Sequence, residues 1–288
     1  MNNCFRPWVL LLLAGLTSCT NLKVVRDYAK ESAAFAARTD LADRYRDTYH
    51  REQPYLDPVD DLAEQATDAK RQASYPGLVR IQASVVAYMS TLAKLAGEEL
   101  NTPVFNLDQV EHGLAPGANL GLHVDQLEAV AALTNLVARG LTSTLQKRAI
   151  HDLVTRADPH VQKLAADMKS LVHQYRETNH AERAKVLNVL KVHIPFTRDP
   201  GPGTPAAAST LLVNRLARAH LQAKLEEYDR IDPSYAQAEQ GWAALAERHR
   251  KLKDGLTTLS AKELVEALRP TAQDLKAVSK GLHQPHPL

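Results

Sequence analysis

Apolar residues recur at every third or fourth position through almost the whole chain, and that spacing leaves few ways for it to fold. Between Leu122 and Ala157 the series is Leu127, Val130, Leu133, Val137, Leu141, Leu145, Ile150 and Val154. A second series is Leu78, Ile81, Val85, Tyr88, Leu92 and Leu95, and a third is Tyr235, Trp242, Leu245, His249 and Leu252. Only a helix places such positions on one face. No segment alternates with period two, as a half-buried strand must. Composition agrees: 288 residues hold just 12 Gly and four Phe, while the strong helix formers abound. The expected fold is all-α, an elongated antiparallel bundle of six or seven helices, several of them long.

Proline and glycine punctuate the pattern. One amphipathic helix is expected from Leu22 to Arg51, with Asn21 as N-cap and Tyr28, Phe35, Ala42 and Tyr49 on its inner stripe. Its outer face carries Lys23, Asp27, Lys30, Arg44 and Asp47. Gln53-Pro54 ends it, because a residue before proline avoids the helical region. Pro58 suits the first position of the next helix, which Pro76-Gly77 breaks or kinks. Asn101–Leu120 has no periodicity and reads as a long connection. Asp158-Pro159 is the sharpest break, so 122–157 and 159–194 are expected to form an αα-hairpin with Asp158 as a cap, the alternative being one kinked rod. Asp232-Pro233 reads as another cap or kink. The division that follows is a leader over 1–18, a helical segment over 19–194, a Pro/Gly linker over 195–205, and C-terminal helices over 206–288 packing on the same bundle.

The first twenty residues, MNNCFRPWVLLLLAGLTSCT, contain one early cation, Arg6, and an apolar run from Trp8 to Leu16. That run is too short to span a bilayer ~30 Å thick, but it has the size of a secretory signal core. It ends in Leu16-Thr17-Ser18-Cys19. These four residues resemble the lipobox of bacterial lipoproteins. The resemblance implies cleavage before Cys19, acylation of Cys19, and a membrane partner reached through that lipid. Thr20, where Asp would favour inner-membrane retention, tilts the expected location to the outer membrane, with the domain facing the periplasm. Cleavage also removes Cys4, so no cysteine remains for a disulfide or a thiolate site.

The search for chemistry is sparse. No histidine pair has the helical ligand spacing of three or four, apart from His283 and His286 in a proline-bound tail. There is no nucleophile elbow and no phosphate-cradling glycine loop. Gly121-Leu122-His123-Val124-Asp125-Gln126 is similar to the G-x-H-x-x-E motif of imelysin-like proteins, with Gln126 where the motif has Glu. That resemblance would make His123 a weak candidate metal ligand. The residues themselves favour a helix start, with His123 in its first turn. The basic run Arg248, Arg250, Lys251 and Lys253 reads as favourable charge towards a helix C-terminus.

With 35 Lys+Arg against 33 Asp+Glu, the chain has no field that would draw nucleic acid, and no such partner is expected. The functional expectation is a non-enzymatic, lipid-anchored helical scaffold or adaptor of the bacterial envelope, with an envelope protein as partner and no cofactor. The alternative is a metal-, haem- or small-ligand-binding lipoprotein that uses the bundle interior or the 101–120 loop.

Overall fold

The computed structural model describes residues 7–97, 123–140, 146–193 and 205–258, together with 266, 268 and 273–276. Among these residues the fold is all-α, with seven helices and no strand. They are α1 (Pro7–Ala36), α2 (Asp40–Arg46), α3 (Thr48–Glu52), α4 (Pro58–Leu95), α5 (Val124–Gly140), α6 (Gln146–His193) and α7 (Pro205–Thr258), with a single 3-10 turn at Gln53–Tyr55. Three are long: 38 residues in α4, 48 in α6 and 54 in α7.

The chain divides into two compact units, neither of them contiguous. The first unit comprises Met1–Thr39, Ser74–Ser170 and Ala238–Leu288; the second comprises Asp40–Ala73 and Leu171–Gln237. The three long helices each contribute to both units. In the first unit the core is built from Tyr28, Ile81, Val85, Tyr88, Leu92, Val130, Leu133, Val154, Val161, Leu164 and Leu245, all essentially without exposure. Neighbouring helices run antiparallel: Tyr28 meets Leu245 while Phe35 meets Trp242, its ring edge-on at 5.2 Å. Gly241 makes that crossing possible, because the Phe35 ring occupies the space a Cβ would take. In the second unit α6 and α7 are antiparallel too, with Arg176 and His180 opposite Asp232 and Arg183 opposite Asp229. Tyr175, Tyr228, Tyr235 and Val186 form its buried centre, with Tyr45 stacked on Tyr175 at 4.6 Å.

One helix start that rests on local chemistry stands where the sequence puts it. Pro58 opens α4, and the Asp57 carboxylate accepts from the backbone N–H groups of Val59 and Asp60 at 2.9 Å. The break expected at Gln53-Pro54 occurs, with α3 ending at Glu52 before the 3-10 turn, whereas breaks inferred at three other prolines do not. α6 passes through Pro159, α7 through Pro233 and α4 through Pro76. The hairpin expected at Asp158 is therefore corrected to one continuous helix. The magnitudes explain why. An interior proline costs about 3 kcal/mol. Burying each of Val154, Val161 and Leu164, which flank Pro159, returns about 1.5–3 kcal/mol. Continuity keeps all three on the core face.

The 22–51 helix is corrected in the opposite sense. α1 starts before Asn21, so Asn21 is an interior residue rather than a cap, and α1 ends at Ala36. α2 begins afresh at Asp40. The break resets the helical phase, so Arg44, expected on the outer face, turns inward. The 101–120 connection, most of the 195–205 linker, the Ser260 capping box and the tail from His283 lie outside the described residues.

Spin labels at Asp152 and Ala166, both exposed and symmetric about Pro159, should report the continuous helix. Fourteen helical residues separate the two backbones by ~21 Å. A spacing near 10 Å, the distance between packed helix axes, would restore the hairpin.

Candidate functional site

The stripe Tyr235, Trp242, Leu245, His249, Leu252 places an imidazole among apolar residues, where it requires polar partners. The first unit supplies them. Tyr88 on α4 contacts His249 Nε2 on α7 at 2.6 Å, and His249 Nδ1 contacts the Asp158 carboxylate on α6 at 2.9 Å. Tyr88 and His249 have 0% exposure and Asp158 has 6%. Lys253 Nζ and Gln162 Nε2 donate to Asp158 at 2.9 and 3.1 Å, and Gln162 also donates to the Ala246 carbonyl. One turn further along, Tyr28 donates to the Leu245 carbonyl at 3.0 Å.

The proton positions follow from the charges. Burial pushes the Asp158 carboxyl up, but hydrogen bonds from His249, Lys253 and Gln162 outweigh it and hold the group well below the usual carboxylate range. Asp158 is therefore an acceptor only. Burial pushes His249 down, with the Lys253 charge adding to the effect against the pull of Asp158, so the imidazole is neutral. A neutral ring facing a carboxylate at Nδ1 carries its proton there, and Tyr88 donates to Nε2. Hydroxyl, imidazole and carboxylate are in the order of a catalytic triad. Burial, followed by the negative groups around it, raises Tyr88 well above an ordinary phenol, so its oxygen is held as a donor rather than prepared as a nucleophile. With no solvent reaching Tyr88 or His249, the chain of bonds ties α4, α6 and α7 together.

The second unit holds a more heavily charged centre. Glu182, with a 0% exposed side chain, accepts from Arg51 Nε and Nη2 at 3.0 and 2.7 Å and from Tyr228 Oη at 3.0 Å. Arg44 lies 3.7 Å from Glu182, pairs with Glu227 at 2.9 Å, and donates to Asn179 Oδ1 at 3.0 Å. Its guanidinium sits over the Tyr228 ring, 5.7 Å from the centroid. Two arginines against two glutamates leave the cluster neutral, which is the condition for burying charge at all.

Beside it, the Glu52 and Glu64 carboxylates share Lys185, at 3.5 and 3.2 Å from Nζ, and Arg71 pairs with Glu64 at 2.6 Å. Burial first, then the charge of Glu64, pushes Glu52 up to about 7 against the pull of Lys185. Burial also pushes Glu64 up, but the Arg71 bond and charge, aided by Lys185, hold it low.

Of the residues singled out from the sequence, Cys19 falls within α1, and no side-chain geometry is described there. His123 is exposed and occupies the cap position before α5. Its backbone N–H donates to Gln126 Oε1 at 3.0 Å, while its carbonyl accepts from the N–H groups of Gln126 and Leu127. Gln126 thus serves as the return half of a capping box, which accounts for an amide at that position. Asp125 pairs with Lys163 at 2.7 Å. Among the described residues no three His, Cys, Asp or Glu side chains gather as a metal ion would require. The basic run is shared out: Lys253 to Asp158, Lys251 to Glu247 and Arg250 to Gln162.

Tyr88, His249 and Asp158 were separately visible as two stripe residues and a cap. Nothing in their spacing joins them; the one signal was a histidine on an apolar stripe. No known protein family, curated protein or solved structure matches this chain.

Two outcomes follow. Asp158→Ala should destabilise the chain by about 2–3 kcal/mol, the worth of buried hydrogen bonds to a charged group, measured by urea unfolding. A loss below ~0.5 kcal/mol, typical of an indifferent surface site, would remove the network from its tying role. Glu52 titrates higher in the folded chain than its unfolded value near 4.3. The native state then binds more protons between about pH 4.3 and 7, and stability falls as pH rises through that window. Glu52→Gln should remove that loss, so its melting temperature should gain on the parent's from pH 5 to pH 8; a constant difference would contradict the buried carboxyl.

Proposed function

We propose that this chain is a lipid-anchored, non-enzymatic scaffold or adaptor on the periplasmic side of the bacterial envelope. The observation that carries the reading is Leu16-Thr17-Ser18-Cys19 and its position on α1. α1 runs without interruption from that cysteine into the core, where Val24 and Val25 are already buried. An acylated Cys19 would thus be followed by packed helix rather than by a flexible tether. The few residues between Cys19 and Val24 cover only ~8 Å as helix. The first unit is then held at the headgroups, and a partner in the same membrane meets it at high effective concentration. No helix among the described residues is long and apolar enough to cross a membrane, so the lipid is the anchor in this reading.

The scaffold half of the proposal draws on the two buried networks, which use their reactive groups on one another. It also draws on α7 in the second unit, where Leu212, Val213 and Leu216 are exposed at 58%, 55% and 61%. Exposed apolar residues at helical spacing suit contact with another protein.

Replacing Cys19 with Ser should release the protein from the membrane fraction. Retention there would place the anchor elsewhere. Inserting ~30 Gly/Ser residues between Asn21 and Leu22 gives an r.m.s. reach of about 30 Å. The in-cell crosslinked partner set should shrink as a result; an unchanged set would separate lipidation from the adaptor role.

A further inference from the structure

The second unit leaves two apolar seams facing outward. On α4 the seam is Val59, Leu62, Ala66, Ala69 and Ala73, spaced three, four, three and four, with Val59 77% and Leu62 69% exposed and the alanines exposed as well. On α7 it is Leu212, Leu216, Ala219 and Ala223, spaced four, three and four, all exposed. Alternation of three and four is the seam of a paired helix, whereas exposed apolar residues on a solvated surface are scattered singly. The opposite face of each helix is already in use, with Arg71 buried on α4, and Asn214 and Tyr228 buried on α7. Each helix thus carries a second apolar face that its own unit does not cover.

Size and charge select the occupant. Both seams run from large to small along the chain: Val59 and Leu62 precede three alanines, and Leu212 and Leu216 precede two. Laid antiparallel, one seam fits the other. Val59 and Leu62 then meet Ala223 and Ala219, while Ala66 and Ala73 meet Leu216 and Leu212. α7 against a second α7 would fit by size, but it sets Arg215 and Arg218 against their own copies, and residues 205–225 hold no carboxylate to separate them. α4 against a second α4 leaves the Leu212 seam in water. Only the mixed pairing covers both seams. It also brings Asp60 and Asp61, after which no cation comes before Lys70, to the Arg218 end of the α7 seam.

The internal order of the unit lets that pairing form twice. Tyr55, just before α4, contacts His220 on α7 at 2.6 Å. Further along α4, Glu64 accepts from Lys185, two residues past Arg183, whose partner on α7 is Asp229. α4 and α7 therefore run parallel and are adjacent where α4 begins. A two-fold axis across them turns each antiparallel to the copy of the other, so α4 meets the second α7 while α7 meets the second α4. We propose that the chain forms a two-fold dimer in which the α4 seam of each copy packs antiparallel on the α7 seam of the other. This rests on the exposed Leu212 face of the scaffold reading and names its occupant; it makes no use of the lipid.

The test is sedimentation equilibrium of the full chain in density-matched neutral detergent. A dimer with a Kd of about 10 µM or tighter is expected. Leu62→Lys, which sets a cation in the seam beside the opposing Arg218, should weaken it at least tenfold, since the contact is made twice. Arg215→Gln with Arg218→Gln should weaken it about threefold or more, the loss of exposed charge pairs. Arg156→Gln, exposed in the first unit, should leave it within twofold, and circular dichroism should show every variant as helical as the parent. Arginine replacement that tightens association identifies α7 paired with α7, and replacement without effect identifies α4 paired with α4; either overturns the proposal. So does a chain that stays monomeric at about 100 µM, which gives the seams to a partner of another kind. Association is read on the purified chain and anchoring in the membrane fraction, so the two proposals can fail separately.

Discussion

Asp158 is the residue on which the first unit turns. Its carboxylate collects His249, Lys253 and Gln162, and through His249 it reaches Tyr88. Three helices distant in sequence are tied by one chain of hydrogen bonds, in which Tyr88 and His249 are shielded from water. Removing any member strands the others: a buried phenol without an acceptor, an imidazole without its orienting anion, or an ionised carboxylate in a core. Apolar packing brings α4, α6 and α7 together, but it tolerates sliding. A hydroxyl–imidazole–carboxylate chain favours one register, because its donors and acceptors come within 3 Å of each other only there.

The second unit uses the same device with the helices exchanged. There Asp232 on α7 receives His180 and Arg176 from α6, as Asp158 on α6 receives His249 and Lys253 from α7. Both aspartates precede a proline inside a helix. Each proline deprives its helix of one backbone hydrogen bond, and the side chain just before it supplies a bond across to the neighbouring helix. In the first unit the partner imidazole is buried and neutral. In the second, the heavier charge sits deeper, where Arg51 and Arg44 balance Glu182 and Glu227. The burial penalties are met in different ways: the first unit by a neutral imidazole, the second by matched ions.

The two units also lean in opposite directions with pH. His249 is depressed by burial, so its contribution is present above the ordinary imidazole value near 6.5 and is lost as pH falls through its lowered folded value. Glu52 is raised by burial beside Glu64, so its contribution is present in acid and is lost as pH rises towards 7. Both windows lie at or below neutrality, and there the two groups pull stability in opposite directions.

The sequence alone determined that this chain is helical, where α4 starts, and which faces are apolar. Those properties depend on residues within a few positions of one another: the three-and-four recurrence, Asp57 before Pro58, and the absence of alternation. The proposal for Cys19 likewise rests on the sequence alone, because a lipobox-like string is read linearly. What the sequence could not decide was whether a proline ends a helix. Asp57-Pro58 starts one, while Asp158-Pro159 and Asp232-Pro233 lie inside one, and the dipeptides are identical. The difference is the burial of residues on both sides, set by helices up to a hundred positions away. Arg44 turned inward for the same reason, since a three-residue break after Ala36 rotates everything beyond it. The buried networks were beyond the sequence because Tyr88, Asp158 and His249, or Arg51 and Glu182, lie 70 to 161 positions apart. Only tertiary packing brings them within three ångströms of each other, and only there does an ordinary polar residue become one the fold cannot lose.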